Sequence, residues 1–198
     1  MTNTDICNMA LGYIAKGRIT SMEQTTEEAR QCAMYYDICR KKLLRSYDWG
    51  FASRVKELAK TDRKYPGWDF CYGYPAKALE VKRIFCAEEP RESPDRVVEF
   101  EVVSLEDDVK VIATDMEYAW AEYVSDLTQV EKFSPEFVSA LSHLLASSIA
   151  LQLTGNGQLK QAEYQLFIED INAAKFENAT EKSRRPKWPT TYANARFS

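Results

Sequence analysis

The sequence predicts an α+β fold: an antiparallel helical bundle of about four helices, an inserted small antiparallel β-sheet region and an extended C-terminal tail. Three observations carry this. Apolar residues recur with helical spacing at both ends of the chain, as in Ile6, Met9, Ala10, Tyr13 and Ile14. Between the ends the period drops to two, with Val98, Phe100 and Val102 alternating with Glu99 and Glu101. Pro66, Gly67, Gly73, Pro75, Pro90 and Pro94 punctuate that middle part. The expected organisation is therefore a helical base from 1–48 and 133–180, a β-rich insert over 49–132 and a tail over 181–198. A chain of 198 residues buries roughly 70% of its extended surface, enough for one domain with an insertion.

The first helix is expected over Asn3–Lys16, closed by Gly17 in a left-handed conformation. Thr25 and Glu28 read as a capping box opening the second helix. Its buried face is marked by Ala29, Cys32, Ala33, Tyr36, Cys39, Leu43 and Leu44. The basic run Arg40, Lys41, Lys42 and Arg45 complements the helix dipole at its end. In the insert, Val98–Val102, Val109–Val111 and the series Tyr118, Trp120, Glu122, Val124 read as half-buried strands, with Leu79–Val81 as a weaker fourth. Ser134, Pro135 and Glu136 form a helix start, and the helix that follows is apolar most of the way round, so it should be central. Thr154–Gly157 is a tight loop, and the last helix, from about Gln158 to Asn178, returns antiparallel.

Composition excludes several classes. No apolar run approaches the ~20 residues of a membrane span, and Met1–Asp5 lacks a basic, apolar export signal, so cytoplasmic synthesis is expected. Seven glycines, none between Tyr74 and Thr154, remove most phosphate cradles. Five cysteines without a CxxC pair read as buried thiols, with no metal expected. The net charge of −4 is uneven: Glu88–Asp108 holds nine acids against Arg91 and Arg96, while five bases face one acid from Glu181 onward. An acidic total argues against a sequence-reading DNA binder.

Each chemical candidate has a plain structural reading beside it. The single His143 lies near Ser142, Ser147 and Ser148, but no Gly-x-Ser-x-Gly elbow presents a nucleophile. Glu88-Glu89 and Asp107-Asp108 are adjacent acids in polar loops, whereas glycoside cleavage needs two facing carboxyls ~5–9 Å apart. Gly155-Asn156-Gly157 lacks the residues of an anion loop and reads as a turn. Trp49, Phe51, Trp68, Phe70, Tyr72 and Tyr74 are expected to seal the junction of helices and sheet rather than stack bases. No catalytic, cofactor or metal residue is assigned. The tail is the strongest compositional signal: Arg184, Arg185 and Lys187 beside Trp188, Tyr192 and Phe197 have the make-up of a docking peptide that orders on capture.

An ordered series of spaced residues runs along nearly the whole chain. It comprises Asn8-x-Ala10-Leu11-x-x-Ile14, Ile19-x-Ser21, Ala29-x-x-Cys32-x-x-x-Tyr36 and Arg40-x-x-Leu43-Leu44. It continues through Trp49-x-Phe51-Ala52-x-Arg54-x-x-x-Leu58, Trp68, Tyr74-Pro75, the Phe133–Ala150 series and Tyr164. The series resembles the head-to-tail adaptors of tailed phages and prophages, the tail tubular protein A and tail accessory factor group of short-tailed phages. The resemblance implies a virion structural protein, made in the bacterial host cytoplasm and located in the virion neck. It implies a monomer when free and a ring, usually dodecameric, under the portal protein. It also implies a downstream tail protein below the ring, double-stranded DNA passing without sequence-specific binding, and no membrane, cofactor or catalysis. By position, Arg184, Arg185, Lys187, Trp188, Tyr192 and Phe197 would clasp the portal. Glu99, Glu101, Asp107 and Asp108 would lie at the lumen or rim, where like charge repels phosphate. Two further readings stay open: a cell-wall glycan hydrolase using Glu or Asp side chains, and a DNA-binding module using Arg40–Arg45 and Arg184–Lys187.

Overall fold

The structure, a computed structural model, describes residues 1–86 and 98–182, with side chains described through Phe176. Among the described residues it is mixed helix and sheet, with four α-helices and two three-stranded antiparallel sheets. The helices are α1 (Asn3–Tyr13), α2 (Glu27–Arg45), α3 (Pro135–Thr154) and α4 (Gly157–Lys182). The strands are β1 (Ser53–Glu57), β2 (Phe70–Gly73), β3 (Ala78–Phe85), β4 (Glu101–Ser104), β5 (Lys110–Thr114) and β6 (Trp120–Ser125).

The helix starts follow from side-chain caps that satisfy free backbone N–H groups. Thr2 and Asp5 form a capping box at α1. The cap of α2 is Thr26, whose hydroxyl accepts from the Ala29 N–H, one residue later than the Thr25–Glu28 box the sequence predicts. Ser134 caps α3 with Pro135 in its first turn, as expected. The first helix is shorter than its periodicity implies: it stops at Tyr13, and Ala15, not Gly17, takes the positive φ of 55°. Asn8 closes the connection that follows. Its side chain donates to the Ile19 carbonyl at 2.9 Å and accepts from the Ile19 N–H at 2.8 Å. Ala33 is exposed, off the buried face the sequence assigned it.

Helix α3 packs against α1, α2 and α4 and is the centre of the larger hydrophobic cluster, with Phe137, Leu141, Leu145 and Ile149 fully buried. By length and composition it is also long and apolar enough to cross a membrane, which corrects the expectation that no such run exists. Here its apolar faces are covered by the other helices. Gly155, at φ 68°, ends α3 in the left-handed conformation that glycine adopts at little cost. The α4 helix begins two residues later and extends to Lys182, so the first two residues assigned to the tail are helical. Residues 183–198, and with them Arg184, Arg185, Lys187, Trp188, Tyr192 and Phe197, lie outside the described residues, as do Glu88 and Glu89.

The sheets are ordered β1-β6-β3 and β2-β5-β4. Residues 58–61 cross from one to the other: Leu58 donates to the Ala119 carbonyl, and Thr61 donates to that of Cys71. A second, smaller cluster joins Leu58, Val81, Ile84, Ala119 and Ala121 with Tyr72 and Ile112 of the β2-β5-β4 sheet. Two strand expectations change. Central strand β5 is buried on both faces from Val111 through Thr114, so simple alternation fails there. Tyr118 lies outside β6, 72% exposed at φ 79°, in the bend that precedes the strand. The sequence pattern does not mark strands β1 and β2: β1 shows mostly exposed side chains, and β2 is four residues long.

Candidate functional site

The acidic residues singled out from the sequence gather on one edge. Strand β4 is the outer strand of its sheet, paired to β5 from Glu101↔Ala113 to Ser104↔Lys110. A tight turn joins the two strands: the Asp108 N–H donates to the Leu105 carbonyl and the Leu105 N–H to that of Val109. Asp108 takes φ 58° in this turn, a conformation that Asp tolerates better than most residues. Glu99, Glu101, Asp107 and Asp108 are all exposed. They do not share one state. Asp107 accepts a 2.6 Å ion pair from Arg63, whose guanidinium holds its carboxyl below the usual range. Glu101 accepts from the Trp68 indole N–H at 3.4 Å, and the Glu99 carbonyl accepts from the Thr114 hydroxyl. Val102, expected to face inward with Val98 and Phe100, is 41% exposed, while the other two pack beside the smaller cluster.

The basic run on α2 is largely engaged within the chain. Arg40 is 1% exposed. It donates to Asp37 at 3.0–3.1 Å, to Asp126 at 2.7 Å and to the Leu127 carbonyl at 2.7 Å. Lys41 contacts Asp37 and Asp126, and Arg45 lies 3.5 Å from Glu80. Sequence alone marks Arg40 as a helix-end charge; in the structure it is a buried tie between α2 and the segment leaving β6.

His143 is part of a polar cluster where α1, α3 and α4 meet. Its Nδ1 lies 2.8 Å from a Glu163 carboxyl oxygen, within hydrogen-bond distance. Its ring stacks on Tyr13 at 4.2 Å, and Ser139 donates to Asp170 at 2.5 Å. Burial, with the charges of Asp170 and Glu163, pushes the Tyr13 phenol above its ordinary range. None of Ser142, Ser147 and Ser148 is aimed at His143; their hydroxyls donate to the carbonyls of Val138 and Leu144. The acids of this cluster escaped the sequence reading, although a signal existed. Glu163 and Asp170 fall in helical phase with the buried Phe167, Ile171 and Ala174.

Cys7, Cys32, Cys39 and Cys71 are buried and Cys86 is half-buried. The neighbouring Cys32 thiol, with burial, pushes the Cys7 thiol far above its ordinary range, which makes it a poor nucleophile. The aromatic residues divide. Trp49 and Phe51 contact Phe137 ring to ring in the larger cluster, while Phe70, Tyr72 and Tyr74 belong to the smaller one.

A comparison with protein-family models finds no match for the chain, nor does a comparison with curated proteins.

Proposed function

We propose that this chain is a head-to-tail adaptor, a virion structural protein rather than an enzyme. In this reading it assembles as a ring under a portal protein, extends the DNA channel and gives the next tail protein a platform. It is a monomer before it meets the portal, and the ring is dodecameric as in the group it resembles. The four helices act as an antiparallel bundle forming the ring wall, residues 49–132 project as an insert, and the segment over 183–198 extends to the portal. It has no membrane, cofactor or metal role. Duplex DNA passes without sequence-specific contact, past a rim made acidic by Glu99, Glu101, Asp107 and Asp108.

The observation that carries the reading is the ordered residue series, much of which lies in the larger hydrophobic cluster. Ile14, Cys32, Tyr36, Leu43, Trp49, Phe137, Leu141, Leu145 and Ala150 belong to one hydrophobic cluster. Asn8, also in the series, fixes the α1–α2 connection. A pattern of core residues at fixed spacing supports likeness of architecture, and the adaptor role rests on that likeness.

The test mixes the full-length chain with candidate portal rings and images the product. The full chain forms a second ring on the portal, and a chain ending at Lys182 keeps its fold but is not captured. A truncated chain that docks as well as the intact one overturns the role given to 183–198. Hydrolysis of cell-wall glycan that vanishes when one acidic side chain is neutralised overturns the whole reading.

A further inference from the structure

We infer that Cys7 and Cys32 form a redox-modification site: a small peroxide, admitted through the groove beside Met22, joins them in a reversible disulfide that ties α1 to α2. The inference goes beyond the adaptor reading and does not depend on it. Cys7 lies on α1 and Cys32 on α2, and both are fully buried in the larger cluster. Their thiols are hydrogen-bonded to each other where the two helices touch. Cys39 differs, because its sulfur meets the Ser148 hydroxyl and the Leu144 carbonyl instead.

A buried thiol pair stays inert unless a reagent reaches it. The Cys7 sulfur lies 3.5 Å from the Met22 sulfur. Met22 is half-buried and also lines an open groove of about 420 Å³, together with Met1–Thr4, Ser21, Glu23 and residues 128–131. One side chain therefore separates the groove from the thiols. Met22 sits in the connection between α1 and α2, outside both helices, and methionine is unbranched and adaptable. Hydrogen peroxide is little larger than water, so a modest swing of the Met22 side chain lets it pass.

The two thiols have different parts in the reaction. The hydrogen bond from Cys7 holds the Cys32 thiol below its ordinary range, although burial and the Glu28 charge oppose it. Cys32 is therefore the sulfur that ionises and attacks. Its thiolate takes one peroxide oxygen: an S–O bond forms and the O–O bond breaks. The departing hydroxide takes up the proton that Cys32 released and leaves as water. This step consumes the partner that keeps Cys7 protonated. The Cys7 sulfur then attacks the sulfenic sulfur of Cys32, forming the S–S bond and breaking the S–O bond. Hydroxide leaves with the Cys7 proton as a second water. The two thiols lose two protons and two electrons, and the peroxide ends as two waters. The link closes the segment 8–31 into a loop and so restricts the unfolded chain.

The test treats the reduced full-length chain with hydrogen peroxide and removes the excess with catalase. Free thiols are then blocked with N-ethylmaleimide in denaturant and the peptides are mapped by mass. The expected product is a peptide pair joined through Cys7 and Cys32 that dithiothreitol separates, in a chain whose thermal midpoint has risen by about 5–10 °C. The Cys7→Ser chain gives no link and leaves a sulfenic acid on Cys32, which dimedone added with the denaturant traps. The Cys32→Ser chain leaves Cys7 a free thiol. With both thiols intact, Met22→Ala speeds the linkage severalfold, while Met22→Leu leaves its rate near that of the parent chain. Unchanged circular dichroism shows that the variants fold, and the Met22 pair keeps the test open if a cysteine variant does not. Cys7 and Cys32 recovered as maleimide adducts while Cys86 or Met22 is oxidised overturn the inference, as does a link from either thiol to Cys39 or Cys71. A linkage rate unmoved by Met22→Ala overturns the route through the groove. Portal capture is measured separately, so each of these results leaves the adaptor reading where it stands.

Discussion

Arg40 keeps its charge at 1% exposure because every side of its guanidinium meets an acceptor: Asp37, Asp126 and the Leu127 carbonyl. The planar fork matters, since a lysine ammonium offers no comparable divergent donors. Replacing Arg40 by Met keeps bulk but strands the Leu127 carbonyl and both carboxylates. Breaking a buried pair costs about 3–5 kcal/mol, and solvent access at Asp37 and Asp126 puts this case at about 3 kcal/mol, measured by urea unfolding. Arg40→Lys should recover less than half of that loss. The pH response follows from Asp37. Burial raises its pKa, but the hydrogen bond from Arg40 and the charges of Arg40 and Lys41 outweigh burial and hold it below the usual range. A folded-state pKa below the unfolded one means this contribution is present above about pH 4 and is lost as pH falls through the lower, folded value. The Arg40→Met chain should therefore show a shallower loss of stability below pH 4 in acid titrations.

At the scale of elements, the caps make a clean test. Thr26→Ala removes the acceptor for the Ala29 N–H and should cost about 1 kcal/mol, while Thr25→Ala should cost near zero. Equal losses at the two positions would place the start of α2 at Thr25 instead. Ser134→Ala at α3 should match the Thr26 loss, because its hydroxyl makes the same contact with the Phe137 N–H. The helices were legible because their apolar faces are long: α3 offers eleven buried positions over twenty residues, so no single anomaly hides it. The strands were legible only in part. Strand β1 has one half-buried and four exposed residues, which leaves little alternation to detect. Strand β5 has the opposite problem, with Val111 through Thr114 buried without a break. Ala15 and Tyr118 adopt positive φ without being glycine, and nothing in their residue type announces a break in regular structure.

At the scale of the whole molecule, the described residues form two hydrophobic clusters of unequal size, one built on α3 and one shared by the sheets. Ile112, fully buried in the smaller cluster, tests their coupling. Ile112→Ala should cost about 2–5 kcal/mol and speed amide exchange in β2, β4 and β5 far more than in the middle of α3. Equal acceleration in both places would mean the clusters unfold as one unit. The candidate site was readable as composition but not as geometry. Nine acids between Glu88 and Asp108 announce a charged surface, yet the Arg63 contact that sets Asp107 apart joins residues 44 positions away. Asp126 as a partner of Arg40 and Glu163 as the partner of His143 were hidden for the same reason, since sequence distance says nothing about which elements meet.

The place where the chain enters and leaves its sheets has an evolutionary consequence. Ser125 donates to the Ala52 carbonyl at 2.9 Å, and β1 pairs with β6 from Ser53↔Val124 onward. The two ends of everything between them are thus already zipped side by side. A cassette mounted on such a zipper can be lengthened, trimmed or exchanged between lineages while the helices beneath keep their own packing. Sequence drift should accordingly be fastest at the exposed turns between Glu57 and Trp120, and slowest at the paired stem and in the smaller cluster.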